Sequence, residues 1–491
     1  MDNDITQPDP SRQRNGVVEG LYGEFTDSLN AKVRYSVSLT ESALTIQKIS
    51  SPGQDEVVFH LADCLGCRAY KVEDEADVGA FFTAYFYPFK RRWISTGMAR
   101  QKVEQCFRVA LVQDPLTNLQ EAERWARAIR EASIRQIPRR HDVKYYEVRR
   151  PCRVMVLVNP QSGRGQALQL FSGQIEPMLT EASVPYTLVI TEHQNHARDL
   201  VRETDLSQWD ALTLHEHISS IVLNGLLERE DWEEAIQTPL GILPGGSGNA
   251  LAASVHHYTN CGFLLCKGLV TRLDLVSVHL ASSQRIFSFL SLAWGFVADV
   301  DIESEKYRLV GPMRFLVGTL MRLASLKVYQ GRLAYLPPQP VNQKGPPDSL
   351  LADLEQPVPE HWTVVNEEDF VLVLAMFQSH LAEDLFAAPG AAADDGFIHL
   401  LYVRAGISRL ALLTLFMTME KGGHLAIRSP HLVYERVKAF RLEPLSPEGA
   451  ITVDGEMVEY GPVQAQVHEG IASCVKIVLP PPSQDFGAIS T

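Results

Sequence analysis

Residues 242–251 have the sequence ILPGGSGNAL, in which Gly245, Gly246 and Gly248 stand between an apolar run and a helix-forming stretch. Glycine lets the backbone approach a ligand closely and adopt a positive φ at little cost. The helix predicted after these glycines would begin with free N–H groups and a positive dipole end, which favour phosphate. The spacing matches neither the P-loop nor the GxGxxG pattern. The stretch therefore predicts a phosphate-binding junction between strand and helix, or else a tight turn that binds nothing.

The composition narrows the class of protein. A chain of 491 residues has room for two to four domains, and its net charge of −14 argues against nucleic acid as the main partner. No run of about 18 uncharged apolar residues occurs, so no transmembrane helix is expected. The first 16 residues lack the apolar core of a secretory signal. Seven scattered cysteines suit free thiols in a reducing compartment, so we expect a cytoplasmic protein.

The N-terminal part is predicted to be a β-rich module. Residues 1–16 are polar and expected to form a disordered tail. Within residues 17–136, short alternating runs predict an antiparallel sheet, and one amphipathic helix follows. The residues expected on the inward face of that helix are Leu119, Ala122, Trp125, Ala126 and Ile129. This pattern resembles a pleckstrin-homology domain, and it fits a generic β-rich module equally well.

The remainder of the chain is predicted to be α/β followed by β. Residues 137–150 form a linker, and residues 151–270 alternate strand and helix, which indicates an α/β domain with a parallel sheet. Strands dominate residues 271–482, so a β-rich sandwich domain is expected there, with one strand continuing through RIFSFLSLAWGFVADVDI. Residues 337–362, rich in proline and acidic side chains, are expected to be a flexible insertion, and residues 483–491 a tail.

Two further loops follow strands of the predicted α/β domain. In VNPQSGRG, residues 158–165, the Asn159 amide can bond a nucleotide, and Gly163 and Gly165 leave backbone N–H groups free for phosphate. Thr191 ends the next strand, before a helix in which His196 is as readily a cap or core residue as a ligand. These loops and the Gly245–Gly248 loop predict a nucleotide site.

Longer strings lie further along the chain. They are FSFLSLAWGFVADVDIESEKYR (287–308), MRF (313–315), YQGRLAYLP (329–337), DDGFIHLLYVRAGISR (394–409) and VDGEMV (453–458). Together with the loops, they closely resemble the diacylglycerol-kinase-type catalytic fold and, within it, the sphingosine kinases. The N-terminal extension points to the long, type 2 members of that family.

The resemblance implies a role for individual residues. Those expected to bind ATP are Asn159, Gly163, Gly165, Thr191, Gly246, Ser247, Gly248, Arg308, Arg314, Asp454, Gly455 and Glu456. Those expected to bind the lipid are Ser291, Phe296, Val297 and Asp301, with the Asp301 carboxylate facing an ammonium group. Asp454 would help to place Mg²⁺. Without the family, Asp299, Asp301, Glu303 and Glu305 alternate like the solvated face of one strand.

One element of the family pattern is missing. A strand ending in Gly-Asp-Gly should precede a helix similar to LLHEVLNGLL, and its aspartate takes the proton from the lipid hydroxyl. This chain has LTLHEHISSIVLNGLL at residues 212–227, without that turn and about two residues shorter. Glu216 or His215 is a weak substitute. The general base is therefore without an assigned residue.

We therefore expect an ATP- and Mg²⁺-dependent lipid kinase that phosphorylates the primary hydroxyl of sphingosine or a related sphingoid base. The mechanism would rest on positioning and charge neutralisation. A catalytically impaired protein that binds lipid and ATP is one alternative, and a ceramide or diacylglycerol kinase is another. Contact with membranes is expected to be peripheral, with residence in the cytoplasm or also in the nucleus.

Overall fold

The computed structural model describes most of the chain. The described residues are 20–30, 32–49, 56–71, 77–91, 98–136, 146–147, 153–162, 165–193, 195–215, 218–243, 258–304, 306, 313–338, 348–382 and 385–475. The chain divides into two compact units, Met1–Arg140 and His141–Thr491. The division falls within the predicted linker, 137–150.

The N-terminal unit is built on a seven-stranded antiparallel sheet. Its strands are β1 (Leu21–Asp27), β2 (Arg34–Leu39), β3 (Ala43–Lys48), β4 (Val57–His60), β5 (Cys64–Tyr70), β6 (Ala80–Phe86) and β9 (Val103–Val109), with a separate hairpin of β7 (Phe89–Arg91) and β8 (Met98–Arg100). The strand order is β4-β3-β2-β1-β9-β6-β5. Alternating apolar side chains on these strands fill the core of the unit.

One helix, α1 (Pro115–Arg135), packs on this sheet. It begins after Asp114, whose carboxylate accepts the backbone N–H groups of Leu116 and Thr117, as an N-cap does. Trp125 is buried between Phe25, at 5.1 Å, and Phe82, at 5.7 Å between ring centroids. The predicted inward face of the helix is confirmed, because its apolar residues belong to the core cluster of the unit.

The C-terminal unit opens with four parallel strands. They are β11 (Val154–Val158), β12 (Tyr186–Ile190), β13 (Ala211–His215) and β14 (Leu240–Leu243), preceded by the short strand β10 (Tyr146–Glu147). The spatial order is β12-β11-β13-β14, and each of these neighbouring pairs is parallel. The prediction of a parallel sheet over this region is confirmed. The helices between these strands are α2 (Ala167–Leu170), α3 (Glu176–Glu181), α4 (His196–Glu203), α5 (Ser219–Leu227) and α6 (Trp232–Ala235), and α7 (Tyr258–Lys267) follows β14.

The rest of this unit is a two-layer β-sandwich. Its strands are β15 (Leu269–His279), β16 (Arg285–Ser288), β17 (Ser291–Gly295), β18 (Tyr329–Leu336), β19 (Thr363–Val364), β20 (Asp369–Met376), β21 (Ile398–Arg404), β22 (Leu432–Val437), β23 (Ala439–Pro444), β24 (Ile451–Val453), β25 (Glu456–Val458) and β26 (Val463–Val475). One layer runs β16-β15-β26-β23-β18-β19 and the other β22-β21-β20-β17-β24-β25. Strand β26 also pairs with β14, so the first layer continues the parallel sheet. Apolar side chains from both layers form the core between them.

Three helices cover the outer face of the second layer, namely α8 (Phe296–Ser304), α9 (Met313–Ala324) and α10 (Arg409–Met419). The prediction of one strand through residue 302 is wrong, because β17 ends at Gly295 and a helix follows. Gly295 has φ +82°, and a Cβ built there would lie 2.7 Å from the Val371 carbonyl oxygen. Only glycine fits this sharp change of direction.

Within the predicted insertion 337–362, residues 348–362 contact the sandwich. The Asp348 carboxylate forms an ion pair with Arg285 at 2.8 Å and lies 3.2 Å from His468 Nε2. The buried Arg441 donates to the carbonyl oxygens of Gln356 at 2.6 Å and Asp353 at 3.0 Å. These polar anchors, together with an apolar cluster around Trp362, fix this part of the insertion on the sandwich.

Candidate functional site

Four strand ends meet at one edge of the parallel sheet. Val158 is level with Ile190, Leu157 with Leu214, and His215 with Leu243. Asn159, Thr191 and the residues after His215 and Leu243 therefore leave the sheet at the same edge. The carboxyl edge of a parallel sheet is where ligands bind in open α/β folds. The topology of the sheet thus places the described residues Asn159 and Thr191 at this edge.

Short-range bonds hold the turn that follows β11, and a bond between neighbouring strands holds Thr191. Asn159 Oδ1 accepts the Gln161 N–H at 2.9 Å, and the Asn159 carbonyl accepts the Ser162 N–H at 3.0 Å. Gly165 has φ +74°, and a Cβ built there would lie 3.9 Å from the Pro160 carbonyl oxygen. The Thr191 N–H donates to the Val158 carbonyl at 2.9 Å, which keeps Thr191 beside the first loop.

His196 has a structural role, and several predicted ligands lie outside the part of the chain that the structure describes. His196 Nδ1 accepts the Glu192 N–H at 3.0 Å, so this side chain closes the turn before α4. Some predicted ligands lie outside the described residues: Gly163, Glu216, Gly246, Ser247, Gly248 and Arg308. Arg314 lies in α9, and its side chain is also outside the described part. Their ATP-binding roles stay predictions.

The connection that should carry the general base is short. Strand β13 ends at His215 and α5 begins at Ser219. Only Glu216, His217 and Ile218 lie between them, and none is a glycine. The connection therefore has no residue for a Gly-Asp-Gly turn.

On the lipid side, the Asp454 carboxylate organises the backbone before β17. Its Oδ1 accepts the Ser288 hydroxyl at 2.5 Å and the N–H groups of Leu290 at 3.0 Å and Ser291 at 3.1 Å. Its Oδ2 accepts one long bond, from Phe289 N–H at 3.4 Å. Burial raises the pKa of Asp454 to about 6, against the opposing effect of these hydrogen bonds. The negative charge is thus incompletely compensated, and Oδ2 keeps acceptor capacity.

Asp301 lies beside the same turn. A Cβ built on Gly455 would lie 3.7 Å from Asp301 Oδ2, so the Asp301 carboxylate is close to the Gly455 backbone. The backbone N–H of Asp454 in turn donates to the Ser291 carbonyl at 2.8 Å. The structure therefore brings Ser291, Asp301, Asp454 and Gly455 together, although they come from three separate parts of the sequence. Glu456, the next residue, is exposed in β25.

Other acidic side chains of α8 are not a solvated strand face. Asp299 is buried, accepts the Tyr329 hydroxyl and lies 3.1 Å from Arg322 Nη2. Glu303 pairs with the same arginine at 2.6 Å. Burial and the Asp299 hydrogen bond raise the pKa of Tyr329. Sequence reasoning missed this anchor, and only the spacing of four between Asp299 and Glu303 hinted at one helical face.

An apolar region adjoins these groups. Phe296 is buried and stacks on Phe416 of α10, with 5.3 Å between ring centroids. Val297 packs against the same cluster, which lies between the second sheet layer and helices α8, α9 and α10. The predicted lipid residues therefore divide into a polar group at Ser291 and Asp301 and an apolar group at Phe296 and Val297.

The described residues show a sheet edge at which β11, β12, β13 and β14 all end, and a group of carboxylates beside an apolar cluster. Residues 153–278 match the family model for the diacylglycerol kinase catalytic domain. That match defines the class of the catalytic unit.

The relatives give the family. Human sphingosine kinase 1 is 52% identical over 362 residues, which cover 68% of this chain and 94% of that protein. Human sphingosine kinase 2 is 36% identical over an alignment of 603 positions, which covers 92% of this chain and 90% of that protein. The chain belongs to the sphingosine kinase family, and the resemblance to the long type 2 members is supported.

Proposed function

We propose that this protein transfers the γ-phosphoryl group of ATP to the primary hydroxyl of sphingosine or a related sphingoid base. The observation that carries the proposal is the placement of Asp301 beside Ser291 and the Gly455 turn, next to the apolar cluster around Phe296. A carboxylate suits the ammonium group of a sphingoid base, and the cluster suits its chain. Neutral ceramide and diacylglycerol have no ammonium, so they are disfavoured as substrates.

The proposed ATP site is the carboxyl edge of β11–β14. Asn159 and Thr191 would contact the nucleotide, while the loop 245–248 and the arginines 308 and 314 would bind phosphate. Asp454 Oδ2 fits a single Mg²⁺ ligand, because the long hydrogen bond that it accepts, from the Phe289 N–H at 3.4 Å, leaves it acceptor capacity. When bound, Mg²⁺ would neutralise phosphate charge and take its other ligands from phosphate oxygens and water. Within the described part of the chain, no three His, Cys, Asp or Glu side chains are grouped as ligands.

A second candidate is a protein that binds both substrates with impaired transfer. The three-residue connection between His215 and Ser219 favours it, because a general base contributes about 10² to 10⁴ in rate. Glu216 is the carboxylate nearest in sequence that could replace the missing aspartate.

We also propose peripheral membrane contact for a cytoplasmic protein, with the N-terminal unit as a pleckstrin-homology-like module. The strand order and the C-terminal helix of that unit support the resemblance. In the C-terminal unit, α9 exposes Leu320 by 50% and α10 exposes Leu410 by 77% and Met417 by 70%. Such exposed apolar side chains suit a lipid surface. None of the described helices has the length and apolar character needed to span a bilayer.

The test is binding of sphingosine and ceramide to the wild type and to Asp301→Asn, measured by calorimetric titration in detergent micelles. We expect the substitution to weaken sphingosine binding about tenfold, because one charge-assisted contact is lost. Ceramide, which has no ammonium, is the matched control and should bind both proteins equally. An unchanged sphingosine affinity in Asp301→Asn would refute the assignment of Asp301.

A further inference from the structure

The side chain of Asn224 joins helix α5 to strand β16. Its Nδ2 donates to the Phe287 carbonyl at 2.9 Å, and its Oδ1 accepts the Phe287 N–H at 2.9 Å. Nδ2 also donates to the Ser220 carbonyl at 2.9 Å, one turn earlier in the helix. The amide thus bonds the strand as a neighbouring strand would, through one donor and one acceptor. Asparagine is a poor residue for a helix interior, so its presence here has a tertiary reason.

The two elements that Asn224 joins lie next to the proposed sites of different substrates. Helix α5 follows the carboxyl end of β13 after three residues, so its first turn lies at the proposed ATP edge. Strand β16 ends at Ser288, whose hydroxyl donates to Asp454 at 2.5 Å. Asp454 in turn accepts the backbone N–H of Ser291, at the proposed lipid site. Hydrogen bonds at Asn224 and Asp454, joined by the peptide bond between Phe287 and Ser288, therefore connect α5 to the proposed lipid site.

Helix α5 is also fixed on its other side. A Cβ built on Gly225 would lie 2.9 Å from Val201 Cγ2 and 3.0 Å from the Arg198 carbonyl oxygen, so α4 and α5 are in close contact. The helix therefore contacts α4 on one side and is bonded to β16 on the other through the Asn224 amide.

We infer that Asn224 is a positioning residue that couples the ATP edge to the lipid site, so that binding of one substrate strengthens binding of the other. ATP would order the first turn of α5, and the sphingoid base would order the backbone at Ser291. Because Asn224 makes these parts one body, the ordering by the first ligand benefits the second. This inference rests on the ATP and sphingoid-base sites of the proposed function, and it does not require that this chain completes the transfer step.

The experiment measures sphingosine affinity with and without a non-hydrolysable ATP analogue and Mg²⁺, by calorimetry in micelles. In the wild type, we expect the analogue to tighten sphingosine binding about fivefold or more. In Asn224→Ala, that factor should fall to about one, while each ligand alone binds within about twofold of the wild type, since Asn224 is assigned to neither site. Asn224→Asp keeps the acceptor for Phe287 N–H but loses the donor, and it should also lose the coupling.

Asn118→Ala is the matched control. The Asn118 amide accepts the Leu111 N–H at 2.9 Å and donates to the Val78 carbonyl at 2.8 Å, within the N-terminal unit. Its loss should lower thermal stability and leave the coupling intact. Coupling that persists in a folded Asn224 variant would overturn the inference, as would a wild type that binds both ligands without coupling. If Asn224→Ala does not fold, Asn224→Asp decides. A wild type that binds neither ligand contradicts the proposed function itself.

Discussion

The proposed ATP edge and lipid site of the C-terminal unit differ in the sequence distance that their side-chain hydrogen bonds span. At the ATP edge, Asn159 bonds Gln161, two residues away. At the lipid site, Asp454 bonds Ser288, 166 residues away, and the Asp299 partner Tyr329 is 30 residues away. The described residues of the first proposed site follow strands, whereas the second depends on carboxylates, buried at Asp299 and half-buried at Asp301 and Asp454, that come together only in the folded unit.

This difference has an energetic consequence. A buried polar group that loses its partner costs about 1 to 3 kcal/mol, whereas a change in an exposed loop has a small effect on stability. Substitutions at the ATP edge should therefore change function with little change in the free energy of unfolding. Substitutions among the buried carboxylates of the lipid-binding half should change both.

The largest expected effect is at the ATP edge. Replacing Glu216 and His217 by a longer segment that contains Gly-Asp-Gly should raise the rate of phosphate transfer to sphingosine by about 10² to 10⁴, because it supplies a general base. The rate is measured by single-turnover transfer of labelled γ-phosphate. The melting temperature should change little.

A chain with Gly-Asn-Gly at the same place is the control, since it restores the loop without the carboxylate. If the wild-type, Gly-Asn-Gly and Gly-Asp-Gly chains turn over equally, the short connection does not limit catalysis, and Glu216 or another group serves as the base.

The second effect lies in the β-rich half and concerns stability. Asp274 is 2% exposed and accepts the N–H groups of Gly396 and Gly470, each at 2.6 Å. Burial raises its pKa from 3.8 to about 7. Because the folded state holds this proton more tightly than the unfolded chain, stability falls as pH rises from about 4 to about 7. The loss is on the order of 4 kcal/mol at most.

Urea unfolding of the wild type and of Asp274→Asn between pH 4.5 and 8 measures the contribution of Asp274 to the free energy of unfolding. We expect the wild type to lose stability relative to the variant as pH rises through this range. Asp205→Asn is the control, because the Ser207 hydrogen bond lowers the pKa of the exposed Asp205 below 3.8, so its difference in stability from the wild type should stay nearly constant over this pH range. A difference between wild type and Asp274→Asn that is constant with pH would contradict the assignment.

The contrast between local bonds at the sheet edge and long-range contacts of the carboxylates also explains which features the sequence could predict. The parallel strands, and their ends just before Asn159 and Thr191, were predicted correctly, because apolar runs bounded by turn-forming residues are local signals. The inward face of α1 was predicted from its period for the same reason. The resemblance to the sphingosine kinases supplied Ser291 and Asp301, which the fold brings near one turn.

Long-range contacts could not be predicted in this way. The segment after Gly295 was assigned to a strand because its acids alternate, yet a helix allows Asp299 and Glu303 to share Arg322. Asp274 lies inside an apolar strand, and its donors are 122 and 196 residues away. Nothing near Asp274 in the sequence indicates a buried carboxyl group with a raised pKa. Such contacts depend on which strands become neighbours.

The smallest expected effect tests the ATP edge with a single side chain. Asn159→Ala removes the amide assigned to the nucleotide and should weaken ATP binding about fivefold, the value of one ordinary hydrogen bond. Asn159→Asp keeps an acceptor for the Gln161 N–H but adds a negative charge, so it should weaken ATP binding more than alanine does if phosphate is near. Sphingosine affinity and melting temperature should stay at wild-type values in both. Equal ATP affinity of the wild type and both variants would show that Asn159 does not contact the nucleotide. A large drop in melting temperature would show that this loop contributes to stability as much as the hydrogen bonds of Asp454 do.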